Sequence, residues 1–278
     1  MFMINEFLHY FGRLRNQIVG WSIGAALYGL MMAYLWPSIK DLGDIIGQFI
    51  DMFPDIMVAM FENITMLATP KGYIDVYYFS YMHLMIAIFA ISAGVGMLVS
   101  DEEKGFLDIV LAHPILRIRL FISRFLAISS GLIIILIAGW MSWAVPAGSI
   151  DLGISPVELS WPFISMFALL IFFTSFGVML SMWLPSARNA GSVMAALLMG
   201  NYLFKIMTNI DTDLRPWLRF TPLGYYQAGN AIDGLNLGWT IGLLGVSFLL
   251  LLIGLQLFQK RDIRVSGEHG WKLFRWRR

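Results

Sequence analysis

His83, Arg124 and Lys205 are the ionisable residues that lie within or at the ends of this chain's long apolar runs, and no catalytic set forms around them. An intramembrane protease needs a Ser–His pair, two facing aspartates or the HExxH helix of a zinc enzyme. None of these spacings occurs, and no GxxxxGK[ST] loop is present to cradle phosphates, so any ATP-driven work must draw on an ATPase in another chain. With zero cysteines, disulfides, thiolate metal sites and a thiol nucleophile are excluded. No metal site is expected. Transporters driven by proton or sodium gradients place a carboxylate or a broken helix at mid-membrane. Acidic residues are missing from the apolar runs, which argues against that class. Arg124 and Lys205 sit where long side chains reach back to the interface. His83 is read as a helix-to-helix hydrogen-bond donor. Asn201 and Lys205, four residues apart, share a helix face that could line a polar path or bond a neighbouring helix; with His83 they are the weak candidates for a substrate path.

One stretch promises more than anchoring: SDEEKGFLDIVLAHPILRIRLFISRFLA, from Ser100 to Ala127. Helical spacing puts Phe106, Ile109, Val110 and His113 on one face. Asp101, Glu102 and Glu103 suit the positive N-terminal end of such a helix, and Pro114 breaks it. A helix held at the membrane surface with one apolar face needs lipid or protein against that face.

The elements that position these residues follow from composition. Of 278 residues, 58% are hydrophobic and 13% charged, against roughly 25% charge in an average soluble domain. Such a chain cannot cover itself with polar groups, so its solvent is lipid. Runs able to cross about 30 Å of hydrocarbon occupy residues 17–36, 78–99, 120–145, 161–184, 189–207 and 238–258, predicting an all-α protein of six transmembrane helices in one domain, 1–278. Lys and Arg are retained on the cytoplasmic side during insertion. With both termini cytoplasmic, 14 of the 19 lie inside, leaving Lys40, Lys71, Lys205, Arg215 and Arg219 outside.

Ser92, Ala93, Gly94 and Gly96, then Ser129, Ser130 and Gly131, then Gly238 and Gly242 are small residues that let helices approach closely, within one subunit or between two. The outer loop of residues 37–77 has amphipathic helical spacing, and its Asn63-Ile64-Thr65 triplet reads as a sequon that only a eukaryotic secretory route would use. The last outer loop, with Pro216, Pro222, Trp217, Phe220, Tyr225 and Tyr226, suits short interfacial helices. The C-terminal GWKLFRWRR reads as an anchor on anionic lipid, not as a nucleic-acid site. The chain shows no internal repeat and no cleaved targeting signal.

The run EEKGFLDIVLAHPILRIRLFISRFLA resembles the pattern of acidic residue, Gly, Leu, acidic residue, aliphatic run, Pro and Arg between the second and third helices of ABC type-2 permeases. TPKGYIDVYYFSYM and TPLGYYQAGNAIDG are similar to segments before the second and last helices of that family. The resemblance implies the six-helix membrane subunit of an ATP-binding-cassette exporter in a prokaryotic plasma membrane. Its amphipathic elbow helix (about residues 4 to 15) would lie along the inner leaflet. The segment from Glu103 to Arg117 would be a cytoplasmic coupling helix, with Glu103, Lys104, Gly105, Phe106, Leu107, Asp108, Ile109, Val110, His113, Pro114 and Arg117 facing a separate cassette ATPase. Phe106 stands where Ser or Thr is commoner. ATP and Mg would be bound by the two ATPase copies and no cofactor by this chain, and a second permease subunit, a homodimer partner or a paralogue, would complete the assembly. A non-transporting membrane scaffold coupled to an ATPase is the alternative, which transport assays in vesicles would separate from a permease.

Overall fold

In the computed structural model, residues 2–41, 52, 54, 66–107 and 116–261 are described. Most of the outer loop of residues 37–77, the expected coupling residues Asp108, Ile109, Val110, His113 and Pro114, and the basic C-terminal tail lie outside them. The described residues are all-helical, without strands, and contain six helices long and apolar enough to cross a membrane. These are α1 (Phe2–Lys40), α2 (Pro70–Glu103), α3 (Arg117–Ala144), α4 (Pro156–Trp183), α5 (Ala187–Ile210) and α6 (Leu237–Lys260).

Four of the spans, α2, α4, α5 and α6, begin before their apolar runs because a polar cap starts the helix. Thr69 accepts from the Gly72 amide ahead of Pro70. Ser155 and Glu158 form a reciprocal capping box around Pro156, while Ser186 and Asn236 cap α5 and α6. Such side chains satisfy amides that have no partner inside the helix. The shift matters most in α2, which starts two turns earlier than residue 78 and so takes Asp75 into the bundle, in a π-helical turn Asp75–Phe79. The expectation that no carboxylate enters the spans fails at this point: Asp75 is 1% exposed. Helix α1 is one unbroken rod of 39 residues, about 58 Å at 1.5 Å per residue. Residues 4 to 15, assigned above to an elbow, form its first turns.

Helices α2 and α4 make the centre, with 78% and 72% of their most apolar windows buried, while α1, α5 and α6 reach only 22%, 17% and 22%. Trp36 of α1, Tyr73, Tyr78 and Phe79 of α2, Trp143 of α3 and Phe163 of α4 form one aromatic cluster with ring centroids 5.1 to 6.2 Å apart. Tilted and edge-on contacts of this kind add to the burial of the rings. Lys40 at the end of α1 reaches Asp151 in the α3–α4 turn at 2.7 Å, which holds that carboxyl below the usual carboxylate range.

The small residues separate into two groups. A Cβ on Gly94 would lie 2.6 Å from the Thr174 carbonyl oxygen of α4, and one on Gly131 2.8 Å from Ile18 of α1, so both glycines serve packing within the chain. Gly242 faces open space, with nothing within 4 Å. Gly94→Ala is therefore expected to destabilise the protein by about 1–3 kcal/mol through overpacking, and Gly242→Ala to leave it unchanged. Thermal unfolding of the detergent-solubilised chain measures both, and equal effects would contradict the packing described.

Candidate functional site

The last turn of α2 carries Asp101, Glu102 and Glu103, and each carboxylate is bound to a different part of the bundle. They belong to the C-terminus of α2 and not to the N-terminus of a following helix. Negative charge is unfavourable at that end of a helix dipole, and arginines from elsewhere offset it. Asp101, 2% exposed, accepts both terminal nitrogens of Arg13 from α1 at 2.8 Å and lies 2.7 Å from Nη1 of Arg124 from α3. Arg124 also donates Nε to Glu6 of α1 at 2.8 Å and Nη1 to the Met97 carbonyl at 2.8 Å. The ring of Tyr10 underlies both guanidiniums, 5.4 Å from Arg13 and 5.1 Å from Arg124.

Glu102 lies 3.2 Å from Arg261, just beyond the end of α6, and Arg261 donates Nη1 to the Ser181 and Met182 carbonyls at the end of α4. Glu103 accepts the Ala187 amide at 2.9 Å, at the N-terminus of α5. Arg117, at the start of α3, donates to the Phe258, Gln259 and Arg261 carbonyls at the end of α6. Three carboxylates (Glu6, Asp101, Glu102) thus balance three guanidiniums (Arg13, Arg124, Arg261), and with Glu103 on the Ala187 amide of α5 the contacts of this last turn reach all six spanning helices.

The chain leaves the set at Gly105, whose φ of +71° is a left-handed conformation that favours glycine. Its amide donates to the Glu102 carbonyl at 3.0 Å and closes α2. Beyond it Phe106 is 56% exposed while Leu107 is buried. Of the expected coupling residues, the structure therefore places Glu103 and Arg117 in the interhelical contacts, Lys104 and Gly105 at the turn, Phe106 on the surface and Leu107 in the core. The snorkelling expected of Arg124 does not occur. At 1% exposure, its guanidinium is held inside by two carboxylates and a carbonyl.

A second polar cluster lies between the N-terminal half of α2 and the C-terminal half of α5. His83 and Lys205 line one small cavity together with Asp75, Tyr202, Asn209 and Tyr226. His83 is buried; its Nδ1 pairs with the Phe79 carbonyl of its own helix at 2.8 Å, and its Nε2 has no hydrogen-bond partner among the described residues. The interhelical bond expected of His83 is replaced by this intrahelical one. The Lys205 ammonium lies 5.9 Å over the Tyr226 ring. Asn201 stands apart, donating to the Leu197 carbonyl one turn back in α5. Asp75 accepts the Gly229 amide at 2.6 Å, and a Cβ on Gly229 would lie 2.5 Å from the Asp75 side chain.

The sequence held a signal for the entries to this region that a search for repeats of domain size passes over. Thr69-Pro-Lys-Gly-Tyr73 and Thr221-Pro-Leu-Gly-Tyr225 are one pentad used twice. In each, the threonine hydroxyl donates to the carbonyl three residues back (Met66 at 2.7 Å, Leu218 at 2.8 Å) and accepts the glycine amide three residues ahead. In each, a Cβ on the glycine would lie about 2 Å from that same carbonyl, 2.1 Å at Met66 and 2.3 Å at Leu218.

The family described as ABC-2 family transporter protein matches residues 26–211, more than half of the chain. No curated protein matches it.

Removing Arg124 would strand Glu6 and share Asp101 with Arg13 alone. Arg124→Met is expected to cost about 3–5 kcal/mol, the range for breaking one side of a buried ion pair. Adding Glu6→Gln recovers part of it. Arg124→Lys recovers little, because one ammonium cannot match a fork that serves three acceptors. Melting temperatures of the four proteins decide this; an Arg124→Met protein as stable as the parent would refute the cluster's structural weight.

Proposed function

The chain belongs to the ABC-2 transporter family, and from that premise we propose that it is the membrane-spanning permease subunit of an ATP-binding-cassette exporter. Its ATPase is a separate polypeptide that binds ATP and Mg, and two copies of each subunit form the working unit in a prokaryotic plasma membrane. Both termini face the cytoplasm, as the distribution of Lys and Arg supports.

The observation that carries this reading is the last turn of α2. The segment between α2 and α3 is the expected contact with the ATPase, and its root binds α1 and α3 through Asp101, α6 through Glu102 and α5 through Glu103. Arg261 adds α4. A displacement applied at Phe106 by closure of the ATPases reaches every spanning helix through ion pairs and hydrogen bonds. Rigid helices convert it into a change of access from one face to the other. The chemistry of hydrolysis stays in the partner; this chain's part is to receive force and share it.

The second permease subunit is assigned to the exposed face of α5. This helix is both the least apolar and the least buried of the six, and Ala196 and Gly200, four residues apart, are exposed on it. Small residues at that spacing suit close approach of a second helix. Asn201 on α5, with Lys205 and His83 behind it, would then border the path between subunits.

The absence of cysteine makes the test direct, because an introduced thiol has no competitor. Phe106→Cys, in membranes holding the assembled complex, is expected to crosslink to a cassette ATPase with a yield that changes with nucleotide. Ala196→Cys is expected to yield a dimer of this chain. Labelling of position 106 by lipid-phase reagents alone, with no second polypeptide captured in any nucleotide state, would refute the permease reading.

A further inference from the structure

Helix α6 presents Gly238 and Gly242 to a cleft of about 330 Å³, walled by Phe172 of α4, Tyr225 and Trp239, and reaching down to Val246. Pockets for small ligands begin near about 300 Å³, so the cleft is large enough to hold one. Both glycines leave it open. A Cβ on Gly242 meets nothing within 4 Å, and one on Gly238 meets only the Asn236 side chain.

The cleft is graded in polarity. Its outer end holds Arg219 beside Phe220, with the guanidinium 5.0 Å over that ring. Below the guanidinium the lining is apolar for two turns of α6, from Gly238 to Val246, about 12 Å at 1.5 Å per residue. Tyr225 and Trp239 stand edge to face at 6.0 Å near the mouth, the level at which such rings favour a membrane interface.

Arg219 differs from the other outer cations. Lys40 and Lys71 pair with Asp151 and Asp233. Arg215 donates to the Thr208 carbonyl, and Lys205 lines the cavity beside His83. Among the described residues the Arg219 guanidinium makes no hydrogen bond or ion pair. The backbone that carries it is held, since the Tyr225 hydroxyl donates to the Arg219 carbonyl at 2.7 Å. A guanidinium over an apolar slot, at the end of a membrane-spanning helix, has the outline of an anionic amphiphile. A second helix does not suit it: spread over two turns, this volume leaves a channel well under the roughly 10 Å width of a helix with its side chains.

We propose that this cleft seats one acyl chain of an anionic phospholipid of the surrounding leaflet, with the head-group phosphate on Arg219. Guanidinium and phosphate make a charge-assisted, two-pronged contact. An anionic lipid is favoured over a zwitterionic one because its head group carries no cation to compete with Arg219. The cleft is thus a lipid site on a single subunit, apart from the α5 face and from the ion pairs at the opposite end of the helices.

The test uses the assembled complex in phosphatidylcholine vesicles containing a trace of phosphatidylglycerol with a photoactivatable group in mid-chain. Adducts are expected to concentrate on Phe172 and residues 238–246. Arg219→Gln is expected to lower them about fivefold while leaving labelling by the corresponding phosphatidylcholine probe unchanged. Gly242→Leu, which fills the slot from a position with room for a side chain, is expected to remove cleft labelling by both probes. Val246→Phe, from an exposed position, repeats that test should the first variant fold poorly. Adducts spread evenly over all lipid-facing helices, labelling indifferent to these substitutions, or cleft crosslinks to a second copy of the chain would each overturn the proposal. The readout does not involve ATP hydrolysis, so failure of the permease reading would leave this result standing, and the reverse.

Discussion

Arg124 brings a guanidinium into the interior of a helical bundle, where it is 1% exposed, and the surrounding structure answers it. Glu6 and Asp101 face it, the Met97 carbonyl takes a third bond, and Tyr10 covers it. A buried ion pair is costly to assemble and costlier to break from one side. Its geometry therefore admits few alternatives. The first turns of α1, the last turn of α2 and the first turns of α3 are fixed relative to one another by charge as well as by packing.

The bundle is held by different forces at its two ends. At the end that holds the C-terminus of α1, Trp36, Tyr73, Tyr78, Trp143 and Phe163 join α1 to α4 by ring contacts, which are numerous and individually weak. At the other end a few directional ion pairs do the same. Ring clusters tolerate small sliding movements, whereas forked arginine–carboxylate pairs hold or exchange partners.

Much of this was legible in the amino-acid sequence, for identifiable reasons. The six spans follow from local hydropathy, and their true ends follow from local caps such as Thr69, Ser155, Ser186 and Asn236. The segment between α2 and α3 stands out by its pattern of charge, glycine and proline. What could not be read was any partner far away in the chain. Arg124 at the end of an apolar run looks like a side chain bound for the head groups, because Glu6, 118 residues earlier, is invisible to any window of sequence. Asp75 looked like a loop residue because hydropathy began at residue 78, although Thr69 and Pro70 already marked a helix start. His83 was rightly singled out as a buried polar group, but its bond turned out to be to its own helix.

Helix α1 is clamped at both extremities: near its beginning by Glu6 and Arg13, and at its end by Lys40 on Asp151. It has no break between them, and its length of about 58 Å is nearly twice the hydrocarbon it crosses. Such a strut can neither shorten nor fold to accommodate a thinner or thicker bilayer; it can only change its tilt. A change in bilayer thickness would therefore bear on the ion pairs of its first turns, Glu6 with Arg124 and Arg13 with Asp101.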